Sequence, residues 1–188
     1  MKNLTRQALR ASLKQLLREK PLEKITITEL SAHCGISRMT FYYHFRDIYD
    51  LVEWVCVEDL QDVLRGVKED DTWQDKIRRI LEAAYEEKTY IQSLTRAMKR
   101  EQIEAFWLTQ SAQLIREAID AETAAAEIPH ERLSFLTDFY KCGFVGILLD
   151  WFDQNMKTSC VLIADDLITL IESTIAQAVS AFIKRQEV

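Results

Sequence analysis

The sequence predicts an all-α fold: a three-helix head built on a helix-turn-helix, fused to a helical bundle, about nine helices. Three observations predict it. The 188 residues hold only two prolines and four glycines beside 48% hydrophobic and 29% charged side chains, a composition of few turns and long regular elements. Every long segment carries the apolar period of a helix rather than the alternation of a strand. Charge divides sharply at Arg46: residues 1 to 46 carry nine Lys or Arg against three Glu (+6), and the other 142 carry 15 basic and 27 acidic side chains (−12). A basic head therefore sits on an acidic body, which sets domains at 1–46 and 47–188 and suits a head that meets a polyanion.

The elements follow in order. From Asn3 to Glu19, Leu9, Leu13, Leu16 and Leu17 fall on one helical face, while Arg6, Arg10, Lys14 and Arg18 recur every fourth residue as a cationic stripe. Pro21 stops this helix, and Thr26 with Glu29 has the spacing of a capping box that starts a short second helix ending before Gly35. Ser37 caps a third helix, Arg38 to His44, and Asp47 a fourth through Leu51, Val55, Val57 and Leu64. Further helices are predicted from Thr72 to Lys88, Tyr90 to Ala97 and Arg100 to Ala126. Pro129 suits the first turn of the next, which runs to Met156, and a final helix spans Cys160 to Lys184.

Several function classes drop out. Cys34, Cys56, Cys142 and Cys160 are scattered without the close pairing of a zinc site, so reduced thiols are expected. Glu127 and His130 have the Glu-x-x-His spacing of a carboxylate-bridged metal site, but a second such pair is lacking and Pro129 lies inside the first. No metal, cofactor or catalytic residue is expected, since no serine, cysteine or histidine arrangement reads as a triad. Lys2, Arg6 and Arg10 follow Met1 at once, so neither signal peptide nor anchor is expected and the cytoplasm is the expected compartment. The last helix holds one charge, Glu172, between Leu167 and Ile183, but Ser173, Thr174, Gln177 and Ser180 point to a buried interface rather than a membrane.

The stretch GISRMTFYYHF, residues 35 to 45, carries the most specific signal. Gly35 supplies a left-handed turn, small Ser31 lets two helices cross closely, and Leu30, Ile36, Phe41 and Phe45 form a small core with the first helix. Arg38, Met39, Thr40, Tyr42, Tyr43 and His44 are left to point outward, and outward phenols and imidazoles suit hydrogen bonds to phosphates. Ser37 and Thr40 at the helix start, with Tyr42, His44 and Arg46, are expected on the phosphate backbone. Arg38, Met39 and Tyr43 are expected at base edges.

At these residues the sequence resembles a known family. ITITELSAHCGISRMTFYYHFRDIYDLV is similar to the DNA-binding domain of the TetR family of transcriptional regulators, with its Gly-(Val/Ile)-Ser-x-x-Thr-(Leu/Phe)-Tyr-x-His-Phe signature, over residues 3 to 55. TFYYHFRDIYDLVEWV together with FYKCGFVGILLDWFDQNMKTS resembles the subgroup associated with dihydroxyacetone kinase operons. The resemblance adds Thr26 and Thr28 to the DNA-binding residues. Many members carry Gly, Ala or Pro where this chain has Met39, so the operator cannot be borrowed from a relative.

For the body, the resemblance implies an effector held between helices and dimerisation through the last two. The pocket is expected at Tyr85, Leu94, Phe106, Trp107, Phe139 and Cys142. Gly143, Gly146, Ile147, Ile171, Ile175, Val179 and Phe182 are expected at the dimer interface, on helices apolar nearly all round. The function implied is a regulator that binds a palindromic double-stranded DNA operator as a homodimer and is controlled by an effector, either a small molecule or a protein. The alternative is a regulator-like sensor or adaptor that acts through a protein partner without binding DNA.

Overall fold

The computed structural model describes residues 2–66, 71–123 and 129–184. Its helices are α1 (Lys2–Glu19), α2 (Ile27–His33), α3 (Arg38–His44), α4 (Ile48–Arg65), α5 (Trp73–Glu86), α6 (Lys88–Ala97), α7 (Arg100–Thr123), α8 (His130–Asp153) and α9 (Cys160–Lys184), with no strand among the described residues. The expected end of α7 at Ala126, and Glu127 of the discounted metal pair, lie outside the described residues. One element was not expected, a single 3-10 turn at Leu22–Lys24 after Pro21 that buries Leu22. The eighth helix stops short of Met156 because Asn155 and Met156 turn left-handed at φ 56° and 47°.

Local chemistry fixes the head. Thr26 Oγ1 accepts from the Glu29 N–H at 3.1 Å and caps α2, while the Glu29 carboxylate pairs with Lys20. At the far end Gly35 adopts φ +70°, with the Ile36 N–H donating to Ser31 O at 2.9 Å and the Gly35 N–H to Ala32 O at 3.2 Å. These two hydrogen bonds close α2 and aim α3, and a side chain at Gly35 would be strained by the backbone alone.

Leu9, Leu13, Leu30, Phe41 and Phe45 pack into one core, and the Ser12 hydroxyl meets His33 Nδ1 at 3.0 Å to tie α1 to α2. That core does not stop at Arg46. It continues through Leu51, Val52 and Val55 of α4 and takes in Tyr90 and Leu94 of α6, so head and body share buried side chains.

The hydrogen bond from Lys20, with the Thr26 cap, holds the Glu29 carboxyl below the usual glutamate range. A carboxyl whose folded value is depressed stabilises the head at neutral pH, and that contribution is lost as acid protonates it. Glu29→Gln is therefore expected to flatten the fall in denaturant midpoint between neutral pH and about pH 3. An acid limb as steep as that of the parent protein would show that Glu29 contributes nothing to it.

The body is a second core in which α7 lies along α8 and α5 along α9. Leu133, Leu136, Phe144, Leu148 and Phe152 of α8 meet Leu167, Ile171, Ile175 and Val179 of α9 inside a single protomer. The expectation of Ile171, Ile175 and Val179 at an interface between copies is thereby corrected. They are 4%, 0% and 3% exposed because the inner stripe of α9 seats against α5 and α7.

Candidate nucleic-acid interface

The third helix is seven residues long and too short to be stable alone. The Ser37 hydroxyl caps it by accepting from the Thr40 N–H at 3.0 Å, and Phe41 anchors it as a wholly buried plug. Burial at Phe41 and Phe45 turns the opposite stripe outward: Met39 is 82% exposed, Tyr43 66% and Tyr42 49%. Thr26, Thr28, Ser37, Arg38 and Arg46 are exposed on the same head, and Thr40 and His44 are half-buried. All ten expected contact residues thus keep some access to solvent. The Ser37 cap consumes the Thr40 N–H, so this group is not open to a phosphate.

The cationic stripe of α1 has a different use from the one its charge implied. Arg10 donates through Nε to Asp59 at 2.8 Å and reaches Asp62 at 2.6 Å, both on α4. Lys14 lies 3.2 Å from Asp59 and 3.9 Å from Glu87, and Arg18 lies 3.7 Å from Glu87. Arg6 stacks its guanidinium over Phe45 and Trp54 at 5.4 and 5.7 Å. The stripe docks the head on the acidic body, and the outward positive charge of the head is correspondingly smaller than +6.

Behind this junction a cavity of about 700 Å³ lies among α4, α5, α6 and α7 and reaches Arg10 and Lys14 of α1. It takes in three of the six residues expected for an effector pocket, Leu94, Phe106 and Trp107. The other three lie elsewhere. Tyr85 is one position past the buried stripe of α5 and stacks on Trp151 at 6.3 Å, with Lys88 Nζ 5.6 Å from its ring. Phe139 is 64% exposed and Cys142 is exposed, on the outer face of α8.

That outer face is the second feature. Phe135, Phe139, Cys142 and Gly146 recur at helical spacing on α8 and are exposed with Gly143 and Ile147; Ile147 shares a shallow hollow with Leu170 of α9, and Leu162 is exposed on the same helix as Leu170. Outside the local backbone of α8, an added Cβ at Gly143 or Gly146 would meet no described atom within 4 Å, so the small residues relieve no crowding against described neighbours in the protomer. Phe182 sits at the patch edge, 6.2 Å edge-to-face from Phe135. Sequence reading did not single out Leu162 and Leu170, and it expected Phe139 and Cys142 at a pocket, whereas both stand exposed on the outer face of α8. The available signal was their shared phase with Gly146, at i, i+3 and i+7 from Phe139.

A glycine-turned pair of short helices presenting an exposed third helix, on a helical body with its own cavity, defines a helix-turn-helix transcriptional regulator. The sequence matches the family described as bacterial regulatory proteins, tetR family, over residues 9–55, and a transcriptional regulator C-terminal region over residues 71–173. The chain belongs to the TetR family of transcriptional regulators.

It is 22% identical over 116 residues to the HTH-type dhaKLM operon transcriptional activator DhaS of Lactococcus lactis subsp. lactis (strain IL1403). That alignment covers 62% of this chain and 61% of the relative, so the chain spans about three fifths of that curated protein. Among solved structures, the dihydroxyacetone kinase operon activator DhaS matches with a TM-score of 0.73 at 17% identity, over 91% of this chain and 96% of that one. A TetR-family transcriptional regulator from Rhodococcus sp. matches with a TM-score of 0.51 at 18% identity, over 90% and 98%. Both are likenesses of fold.

Proposed function

We propose that this chain is a sequence-specific DNA-binding transcriptional regulator that reads a two-fold operator as a homodimer and answers to an effector held in the body cavity. The observation that carries the reading is the outward stripe of α3, where Met39, Tyr42 and Tyr43 stand exposed over a wholly buried Phe41. Large apolar and aromatic groups held out on a rigid, capped helix are costly in water and useful in a major groove. Arg38, Met39 and Tyr43 read base edges, Arg38 by paired hydrogen bonds to a guanine and Met39 against a thymine methyl. Thr26, Thr28, Ser37, Thr40, Tyr42, His44 and Arg46 hold the sugar-phosphate backbone.

Two further features support the reading. The apolar patch of α8 and α9, with its open glycines, suits a second copy of the same chain, and a two-fold pair of heads suits a two-fold site. The cavity shares Tyr90 and Leu94 with the head core, so its contents act on the head through buried side chains.

The operator is found by selecting bound fragments from a random DNA pool, and variants are then measured on it and on single-base variants at several salt concentrations. Arg38→Ala is expected to cost about 1–3 kcal/mol and to relax the preference at one base pair per half-site. Tyr42→Phe is expected to weaken binding to all sequences alike. An unchanged base preference in the first variant, or an altered one in the second, would reverse the assigned roles. No enrichment of any sequence would sink the DNA-binding reading itself.

A further inference from the structure

We propose that Arg6 is a phosphate contact of the DNA interface, a guanidinium that two aromatic rings of the head hold in place without neutralising it. The inference rests on the DNA-binding reading above and adds to it a residue outside the helix-turn-helix. Arg6 is the first member of the cationic stripe of α1, and it differs from the other three. Arg10 pairs with Asp59 and Asp62, Lys14 with Asp59 and Glu87, and Arg18 with Glu87. Arg6 makes no ion pair with any described residue. Its guanidinium carbon stands instead 5.4 Å from the centre of the Phe45 ring and 5.7 Å from that of Trp54.

Those two rings form one platform. Their centres lie 5.6 Å apart at an interplanar angle of 48°, with Phe45 at the C-cap of α3 and Trp54 in the second turn of α4. Phe45 is buried in the core of the head, so the platform is fixed. A carboxylate in the same position would hold the arginine and cancel its charge. The ring quadrupoles attract the cation yet leave its full charge for a further anion. A planar guanidinium suits this role better than an ammonium, since stacking uses its faces and leaves the N–H groups at its edge.

The N–H groups of Arg6 are unspent. No described residue accepts a hydrogen bond from any of its three guanidinium nitrogens, and of these only Nε is buried. The rings cover Nε and close it to a ligand, while the two terminal nitrogens keep access to solvent. Their position is at the end of α3. Phe45 stands between His44 and Arg46 in the chain, both proposed above for the sugar-phosphate backbone, and the His44 ring lies 6.4 Å from that of Phe45. A fork of charged donors there matches the free oxygens of a phosphodiester.

Fixed placement adds to the value of the contact. A free arginine must order a long side chain before it can bind, whereas Arg6 is already held by its rings. The helix that carries it is held too: the Gln7 amide donates to Glu58 at 3.4 Å and Arg10 Nε to Asp59 at 2.8 Å, which ties the next turn of α1 to α4. The stripe is thereby divided by function. Acids of the body hold its later members, and the aromatic pair presents its first to DNA.

The test is the salt dependence of DNA binding, which counts phosphate contacts. A purely structural loss lowers the line of log K against log salt without tilting it. Parent, Arg6→Gln, Arg6→Met and Arg6→Lys chains are titrated into a fluorescent duplex carrying the selected operator, and into an unrelated duplex, over a series of potassium chloride concentrations. Arg6→Gln and Arg6→Met are each expected to reduce the slope by about 0.9 for every head on the duplex, and to weaken binding to both duplexes alike. Arg6→Lys keeps the charge and should keep most of the slope. Circular dichroism and denaturant unfolding report whether each variant is folded. An unchanged slope in a folded Arg6→Gln or Arg6→Met protein, or a slope reduced as far by Arg6→Lys, overturns the proposal. So does a head that unfolds in both neutral variants, because Arg6 is then a structural residue. A parent protein that binds neither duplex sinks the DNA-binding reading and this one with it. One that binds DNA with a slope indifferent to residue 6 sinks only this one.

Discussion

Phe41→Ala is expected to unfold the head, at a cost of about 3–5 kcal/mol, and to abolish DNA binding with it. Phe41 is 0% exposed and lies 6.0 Å from Phe45, ring centre to ring centre, in the core shared by α1, α2, α3 and α4. A seven-residue helix has no stability of its own, so α3 exists only while this plug holds it against the head. Met39→Ala is the control. Met39 is 82% exposed, and its loss should change stability by less than about 0.5 kcal/mol while changing base preference. Denaturant unfolding of the two variants decides the matter, and equal destabilisation would mean that α3 is turned the other way.

Ile175→Asp and Leu170→Asp, five residues apart on one helix, are expected to fail in different ways. Ile175 is 0% exposed between α9 and its neighbours, so a carboxylate there is buried without a partner and should cost more than about 4 kcal/mol, enough to unfold the body. Leu170 is 55% exposed on the outer face of α9, where an aspartate is solvated in the protomer and would be buried only in the proposed dimer. Leu170→Asp should therefore stay helical by circular dichroism and sediment as a monomer, with DNA affinity reduced because the two heads are no longer held in register. Gly146→Leu should do the same by bulk alone, since outside the local backbone of α8 no described atom of its own protomer stands within 4 Å of the new Cβ position. A folded, dissociated Ile175→Asp protein would show that the two faces of α9 are exchanged. A parent protein that sediments as a monomer at micromolar concentration would remove the dimer altogether.

What the sequence determined by itself is the order of helices, their caps and the face of α3 that looks outward. Pro21, Gly35, Ser37 and Asp47 act within a few residues of themselves, through a missing N–H, a positive φ or a side-chain cap, so local chemistry suffices to place them. A short helix with only Phe41 to bury leaves no choice about which stripe faces the solvent.

What only the tertiary structure decided is the partner of each longer helix. Arg10, Lys14 and Arg18 look the same in sequence whether they face a phosphate or Asp59 and Glu87, because the acids that answer them lie more than forty residues away. Helices α8 and α9 are apolar nearly all round, so periodicity carries no phase to separate the inner Ile171, Ile175 and Val179 from the outer Phe139 and Leu170. For the same reason periodicity could not separate Phe139 and Cys142, on the outer face of α8, from Phe106 and Trp107 at the cavity, and Leu60 and Tyr90 gave no sign of lining it together. A period fixes how a helix is divided around its own axis. Which division turns inward depends on helices distant in sequence, and only the packed structure brings them together.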